Sequence, residues 1–203
     1  MTTPQDFPTL CETCLGDDPY VRMARQENGM ACKICTRPMT SYRWKAGSGR
    51  FKSTVVCGHC AKMKNLCQTC LLDLEFGLPI QLRDKYLAEN EQVVMPTSKI
   101  GRLYQAEHYK TLVEHGGVKA IENSYGKLST LPSVKKLARN APYYKRNEVK
   151  ICNFYVKGIC SRGELCPFRH EMPEKSELAT ESITDRFHGR NDPVAEKIAQ
   201  SSK

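Results

Sequence analysis

The apolar residues of this 203-residue chain fall in short runs that are separated by polar, cysteine-rich stretches. Aromatic and β-branched residues cluster over Met39–Trp44 and Phe51–Val56, which predicts two short strands. Gly47 and Gly49 lie between these segments and are typical of a tight turn. The first half of the chain is therefore expected to contain a β-hairpin that leads into a cysteine pair.

Four other segments carry the signals of short helices. The apolar run Leu71–Phe76 predicts a helix that ends at Gly77. Ser98 is a suitable N-cap for a second helix with apolar residues on one side. A third helix is predicted over residues 132–139. The fourth spans residues 192–198 and opens with an Asp-Pro pair, a favourable N-cap and first helical residue.

The small number of apolar runs argues against one large hydrophobic core. Mean hydropathy is −0.52, and no run approaches the roughly 18 apolar residues of a membrane-spanning helix. The N-terminus also lacks the apolar stretch of a signal peptide. We therefore expect an intracellular protein with no membrane partner. In that environment cysteines more often bind metal or take part in catalysis than form disulfides.

Cysteine spacing is the most informative feature of the sequence. Of the eleven cysteines, eight form C-x2-C pairs and three precede His170 at the spacing C-x7-C-x5-C-x3-H. Zinc prefers four thiolate or imidazole ligands in a tetrahedron. The spacing therefore predicts three zinc ions, two with four cysteines each and one with three cysteines and a histidine. The twelve predicted ligands are Cys11, Cys14, Cys32, Cys35, Cys57, Cys60, Cys67, Cys70, Cys152, Cys160, Cys166 and His170.

Other uses of these cysteines fit the sequence less well. A disulfide framework would need a secreted protein and would leave one thiol unpaired. A thioredoxin-type pair would need a βαβ unit, which the pattern does not supply. Each predicted zinc ion has four protein ligands and no open position for water, so we expect no zinc catalysis and no small-molecule substrate.

The spacing leaves the pairing of the four C-x2-C motifs open. The gaps between them are 17, 21 and 6 residues. Sequential pairing would place the last two motifs on one ion. Cross-braced pairing would join the first motif with the third and the second with the fourth. We expect the cross-brace, because it holds the short third gap between two rigid sites. Structural zinc contributes roughly 10–16 kcal/mol of apparent binding energy to such units.

Positive charge is concentrated at the CCCH motif and just before it. The formal net charge is +9, and residues 135–170 carry nine Lys or Arg against two Glu. A zinc loop with little core presents its aromatic and basic side chains outward, where bases can stack and phosphates can pair. Tyr155 is expected to pack inside the finger instead. The predicted RNA contacts are Tyr143, Tyr144, Lys145, Arg146, Lys150, Phe154, Lys157, Arg162, Phe168 and Arg169.

The predicted hairpin offers further basic residues. Four of them are candidates for contact with nucleic acid: Arg43, Lys45, Arg50 and Lys52. Trp44 either joins that surface or fills a small core.

Together these patterns predict small zinc-stabilised modules of irregular α+β structure. Residues 1–86 form an N-terminal eight-cysteine module with two zinc ions, and residues 87–134 form a helical or irregular linker. Residues 135–173 hold a basic segment and the CCCH zinc finger. Residues 174–203 form an acidic tail with a short C-terminal helix.

Several stretches resemble a known family. Cys11–Gly16, Cys32–Pro38 and above all Cys67–Gln81 are similar to the N-terminal part of the Slt-type spliceosomal splicing factors of the RNA-binding motif protein 22 family. The similarity returns in Pro142–Asn147, through the finger, and at Asn191–Ala195. It covers residues 6–86 and 137–198, and all twelve predicted zinc ligands match the family's positions.

The resemblance implies a nuclear, non-enzymatic pre-mRNA splicing factor of the activated spliceosome. Such a protein would contact U6 snRNA and the pre-mRNA intron, help position the catalytic RNA core and bind spliceosomal proteins. Family members continue into an RNA-recognition motif domain, whose aromatic strand signature this chain lacks. Contacts assigned to that domain are therefore not carried over.

An alternative is a RING-like ubiquitin ligase, or a protein-docking module with an RNA-targeting finger. A cross-braced cysteine-rich module can resemble a RING domain. RING domains usually have a histidine among their central ligands, however, whereas every pair in residues 1–86 is C-x2-C.

Overall fold

A three-stranded antiparallel meander organises the N-terminal half of the computed structural model. The strands are β1 (Met23–Ala31), β2 (Pro38–Lys45) and β3 (Phe51–Ser53), in the order β1-β2-β3. The predicted hairpin is confirmed as the β2–β3 pair. The sequence did not predict β1, because this edge strand is largely exposed and lacks an alternating apolar pattern.

The structure describes residues 7–47, 49–87, 92–94, 96–115, 128–173 and 182–201. Ser48 of the predicted turn, residues 116–127 of the predicted linker and residues 174–181 of the predicted tail lie outside the described residues. Within the described ranges, no helix has both the length and the apolar character to cross a membrane. The helices are α1 (Glu12–Leu15), α2 (Gly58–Met63), α3 (Ile80–Asp84), α4 (Lys99–Glu114), α5 (Pro132–Leu137), α6 (Asn153–Val156), α7 (Ile183–His188) and α8 (Pro193–Ser201).

Three of the predicted helices are confirmed, two of them with the predicted capping side chain. Ser98 Oγ accepts a hydrogen bond from the backbone N–H of Gly101 at the start of α4. Helix α5 begins at Pro132 and ends two residues before the predicted boundary. Asp192 Oδ1 accepts hydrogen bonds from the first turn of α8, at 2.9 and 3.2 Å. Short polar side chains therefore marked helix starts correctly.

The helix predicted over Leu71–Phe76 is wrong. Leu71 has φ +58°, in the left-handed region, so the chain turns away directly after the fourth cysteine pair. Asp73 Oδ2 then accepts hydrogen bonds from the backbone N–H groups of Glu75 and Phe76 and holds the next turn. The helix of this region is α3, which begins one residue after Pro79.

The C-terminal helices pack into the N-terminal half of the molecule. Phe187 of α7 is fully buried in the same apolar cluster as Ile34 and Val56. Ala195 of α8 is buried in a second cluster with Phe76 and other residues near α3. The predicted tail thus supplies core residues, although the predicted domain boundaries themselves stay a prediction.

Trp44 belongs to the core. Its side chain is buried in a third cluster with Cys14 and Leu72, and its Nε1 donates a hydrogen bond to the carbonyl oxygen of Cys14 at 2.9 Å. Of the two roles considered for this residue, core packing is confirmed.

Candidate metal centres and nucleic-acid interface

The first metal centre, which we call the inner site, lies at one end of the sheet. It brings together Cys32, Cys35, Cys57 and Cys60, whose sulfur atoms all lie within 4.8 Å of one another. The first pair follows the end of β1 and the second follows the end of β3. In an antiparallel meander the first and third strands run in the same direction, so their C-terminal ends share one end of the sheet.

The second metal centre, the outer site, is formed by Cys11, Cys14, Cys67 and Cys70. The sulfurs of Cys11 and Cys70 are 3.6 Å apart. The hydrogen bond from Trp44 fixes the backbone at Cys14, near the C-terminal end of β2. This site therefore ties the two ends of the eight-cysteine module together at the opposite end of the sheet from the inner site.

The expected cross-braced pairing is wrong, and so is the sequential alternative. The first C-x2-C motif pairs with the fourth and the second pairs with the third, which is a nested arrangement. The physical reason is the strand β1, which the sequence did not predict. Because β1 and β3 deliver the second and third motifs to the same end of the sheet, the flanking motifs are left to meet each other. The six-residue gap holds the second half of α2 and carries the chain from one site to the other.

The CCCH centre contains Cys152, Cys160, Cys166 and His170, again with all ligand atoms within 4.8 Å. A backbone hydrogen bond of 2.8 Å from Cys152 N–H to the carbonyl of Arg169 brings the first and last ligands side by side. His170 Nε2 is buried and has no hydrogen-bond partner among the described residues, as expected of a nitrogen that binds a metal ion.

The chemistry of all three centres fits zinc. Each offers four soft or borderline ligands that converge on one point, the donor set and number of structural zinc sites. In the two four-cysteine centres the neighbouring thiols lower the pKa of Cys35 and of Cys67 through hydrogen bonds to their sulfurs. A divalent cation at each centre would hold all four sulfurs as thiolates. The chain therefore has three zinc sites, and the predicted ligands and zinc ions are confirmed.

The finger presents two of its aromatic rings to solvent. Phe154 is 62% exposed and Phe168 is 45% exposed. The Tyr155 ring instead stacks on the His170 imidazole, with centroids 4.4 Å apart, while keeping part of its surface exposed. The expected contact of Tyr155 with the zinc loop is present, but the expectation that its ring is internal is wrong, because the residue is 39% exposed.

The predicted cations of the finger differ in how free they are. Lys150, Lys157 and Arg162 are exposed. Arg169 already forms ion pairs with Glu148 and Glu171, and its Nε donates to the carbonyl of Val149. An RNA phosphate would have to compete for Arg169, whereas the other three cations are available.

The aromatic-basic run before the finger docks on the eight-cysteine module. The backbone N–H of Tyr143 donates to Thr13 Oγ1 at 3.1 Å, and the hydroxyl of Tyr144 bonds Glu12. Asn147 donates from Nδ2 to the carbonyl of Thr13 at 2.8 Å. A Cβ at Gly49 would lie 1.7 Å from the carbonyl oxygen of Asn147, so only glycine fits there.

This docking changes how the predicted RNA contacts of the run are placed. Tyr143 and Lys145 remain exposed, whereas Tyr144 and Arg146 are half-buried. Their role in RNA binding stays a prediction. No local pattern predicted this docking, because the partner residues lie about 130 positions away, between the two cysteines of the first pair.

The sequence analysis also missed one buried ion pair and one half-buried arginine that contacts the outer site. Arg83 forms a 2.8 Å ion pair with Asp73 and donates to the carbonyl of Lys64. Arg186 of α7 donates to the carbonyl of Cys70. Neither contact belongs to a recognisable sequence motif: Arg83 and Asp73 are 10 residues apart, and Arg186 and Cys70 are 116 residues apart.

Two family models match this chain. The model described as "STL11, N-terminal" matches residues 8–108, and the Torus domain model matches residues 126–190.

Curated relatives match nearly the whole chain. Zinc finger CCCH domain-containing protein 40 of Oryza sativa subsp. japonica is 51% identical over 194 residues, which is 95% of this chain and 40% of that protein. Zinc finger CCCH domain-containing protein 4 of Arabidopsis thaliana is 48% identical over the same shares. Protein 53 of that name in Arabidopsis thaliana is 46% identical over 97% of this chain and 54% of its own length. The chain thus spans about half or less of these relatives.

Proposed function

Because the chain belongs to the STL11/CCCH-type family of zinc finger proteins, we propose that it is a non-catalytic RNA-binding factor of pre-mRNA splicing. In this proposal it acts in the nucleus, within the activated spliceosome. It contacts U6 snRNA and the pre-mRNA intron and helps position the catalytic RNA core. The spliceosomal part of the proposal is supported by the resemblance of Cys67–Gln81 and of the finger to the RNA-binding motif protein 22 family.

The surface of the CCCH finger is the observation that carries RNA binding. Phe154 and Phe168 are exposed on a loop that three cysteines and a histidine hold rigid. Lys157 and Arg162 are exposed on the same loop. Rigid exposed rings beside free cations suit single-stranded RNA, whose bases stack on the rings while its phosphates meet the cations.

The expected affinity follows from the number of contacts. Each stacked base contributes about 1–3 kcal/mol, so two rings contribute about 2–6 kcal/mol in addition to the phosphate contacts. We expect micromolar affinity that weakens as the salt concentration rises. Binding of the protein releases cations condensed on the RNA, and a high salt concentration opposes this release.

Removing both rings tests this proposal. The variant Phe154→Ala with Phe168→Ala should lose at least about 30-fold in affinity for a fluorescent single-stranded RNA oligonucleotide, measured by anisotropy, at two stacks of about 1 kcal/mol or more each. Its zinc content should stay at three ions, because neither ring is a ligand. Tyr104→Ala removes an aromatic ring that is 74% exposed on α4 and is the matched control.

The outcome separates stacking from other modes of binding. An unchanged affinity in the double variant would show that these rings do not bind RNA. An equal loss in Tyr104→Ala would show that the effect is not specific to the finger.

Crosslinking in nuclear extract tests the spliceosomal part. Ultraviolet crosslinks from the finger should map to U6 snRNA and to the intron in splicing complexes. Crosslinks confined to other RNAs would contradict the splicing assignment while leaving RNA binding intact.

The structure weakens the basis of the RING-like alternative. RING domains interleave their two zinc sites in a cross-brace, whereas this module nests one site inside the other. We therefore propose no ubiquitin-ligase activity. Docking of spliceosomal proteins on residues 1–86 is compatible with RNA binding by the finger and forms part of the proposal.

A further inference from the structure

A cavity lined by cations lies where the eight-cysteine module, the basic segment and the C-terminal helices meet. We call it the seam cavity, and its volume is about 460 Å³. β3 and the turn before it, the segment that leads into the finger, and α7 each contribute to its lining. The charged lining residues are Arg50, Lys52, Arg146, Lys150 and Arg186.

Lys52 gives the strongest indication that the seam cavity holds an anion. Its side chain is only 6% exposed, and its ammonium group is buried with no hydrogen-bond partner among the described residues. A buried ammonium is costly unless it is paired and hydrogen-bonded. A bound ligand with acceptor oxygens would supply the missing partners.

The charges around the seam cavity do not cancel. None of the described residues that line it is acidic. A zinc ion with four thiolates has a net charge of about −2, so the outer site, whose Cys14 and Cys70 line the cavity, offsets about two of the cations. Asp192 attracts Arg186 and offsets a third. An excess of about two positive charges remains for a ligand.

Repulsion between two arginines of the seam cavity also favours a bound anion. Arg146 and Arg186 both line the cavity, so two guanidinium groups of like charge face the same space. These guanidinium groups are held together by the fold, since Arg146 lies in the docked segment and Arg186 in the packed helix α7. An anion between them would relieve the repulsion.

We propose that the seam cavity binds a phosphate group of the RNA backbone, which extends the RNA-binding surface from the finger to the eight-cysteine module. This rests on the proposed function, because RNA is taken as the ligand. The volume lies within the roughly 300–1,000 Å³ of ligand-binding pockets. Phe51 also lines the cavity and is 61% exposed, so its ring is available for an adjacent base.

The salt dependence of RNA binding tests this site. Lys52→Met removes the ammonium while keeping most of the side-chain volume. For a single strand, each lost phosphate contact lowers the slope of log K against log [salt] by about 0.7, which corresponds to about fivefold in affinity between 1 M and 0.1 M salt. Lys99→Met makes the same charge change at an exposed position of α4 and should leave the slope unchanged.

For the 203-residue chain and each variant, the affinity for a fluorescent single-stranded RNA oligonucleotide is measured by anisotropy over a series of salt concentrations. The expected result is a smaller slope in Lys52→Met alone. Equal slopes in Lys52→Met and the unmodified protein would overturn the proposal. If Lys52→Met fails to fold, Arg50→Gln replaces it, with the same expected and overturning results.

Two parallel measurements distinguish the other outcomes. If the Phe154→Ala, Phe168→Ala variant loses affinity while Lys52→Met does not, the seam cavity proposal fails and the proposed function stands. If neither variant changes affinity, the proposed function fails as well. If inorganic phosphate raises the Tm of the unmodified protein but not of Lys52→Met, while their RNA slopes are equal, the cavity binds free phosphate and the RNA proposal is overturned.

Discussion

Lys64 should make the stability of this protein rise in mildly alkaline solution. The residue follows α2 and is only 3% exposed. Its Nζ donates to the carbonyl oxygen of Phe187 at 3.2 Å and lies 4.0 Å from Asp84. Burial lowers its pKa from the ordinary value of 10.5 to about 8, and Arg83 and Arg190 act in the same direction, against the attraction of Asp84.

The direction of the effect follows from proton binding in the two states. Below pH 8 both the folded and the unfolded chain hold the Lys64 proton, so the contribution is constant. Between pH 8 and 10.5 the unfolded chain still holds a proton that the folded chain has released, so the free energy of unfolding rises with pH. The gap between the two pKa values corresponds to a total rise of about 3 kcal/mol.

Other groups titrate in the same range, so the measurement is a comparison with Lys64→Met. Urea unfolding of both proteins is followed from below pH 8 to above pH 10.5, which are the pKa values of Lys64 in the folded and the unfolded chain. The free energy of unfolding of the unmodified protein, minus that of Lys64→Met, should rise by about 3 kcal/mol over this range. A difference that stays flat or falls would refute the reasoning.

Three further predictions concern the zinc pairing and the C-terminal helices. The double variant Cys14→Ser, Cys70→Ser should lose one zinc ion and keep two, because both cysteines belong to the outer site. The double variant Cys14→Ser, Cys57→Ser should lose two zinc ions, because the two cysteines belong to different sites. Native mass spectrometry counts the bound ions, and a pairing of the first motif with the third would reverse these results. Phe187→Ala should lower the free energy of unfolding by about 3–5 kcal/mol, because the ring is fully buried; a loss below about 1 kcal/mol in urea unfolding would contradict the packing of α7 in the core. Asp192→Ala should cost about 1 kcal/mol through the lost cap of α8, and Asp192→Asn should cost less in the same assay.

Local signals in the sequence predicted the ligands and most capped helices. Each zinc centre recruits its ligands in C-x2-C pairs or a single short motif, so spacing alone identified all twelve. Helices α4 and α8 begin at Ser98 and Asp192, whose side chains cap them directly. Such interactions span a few residues and are visible in a linear pattern.

The pairing of the motifs depended on long-range structure and could not be predicted in this way. It followed from β1, an edge strand with exposed polar residues and no apolar alternation. The turn at Leu71 was missed for a related reason, because a left-handed leucine is stabilised only by its tertiary setting. Phe187 packs in the N-terminal core with residues more than 100 positions away, such as Ile34 and Val56. No local sequence pattern could therefore predict its burial.

The arrangement of the finger and the module has a functional consequence. Asn147 and Thr13 connect the basic segment to the outer zinc site, so the exposed rings of the finger and the seam cavity belong to one framework. That framework exists only if the three zinc centres are filled, because the apolar clusters are small and the ligands hold them together.

Native mass spectrometry of the purified 203-residue chain tests this central claim most directly. The account predicts a mass that corresponds to the polypeptide with three zinc ions, and eleven cysteines that all react with an alkylating reagent once the metal is removed and the chain is unfolded. Fewer than three bound zinc ions, or cysteines that resist alkylation because they are joined as disulfides, would contradict it.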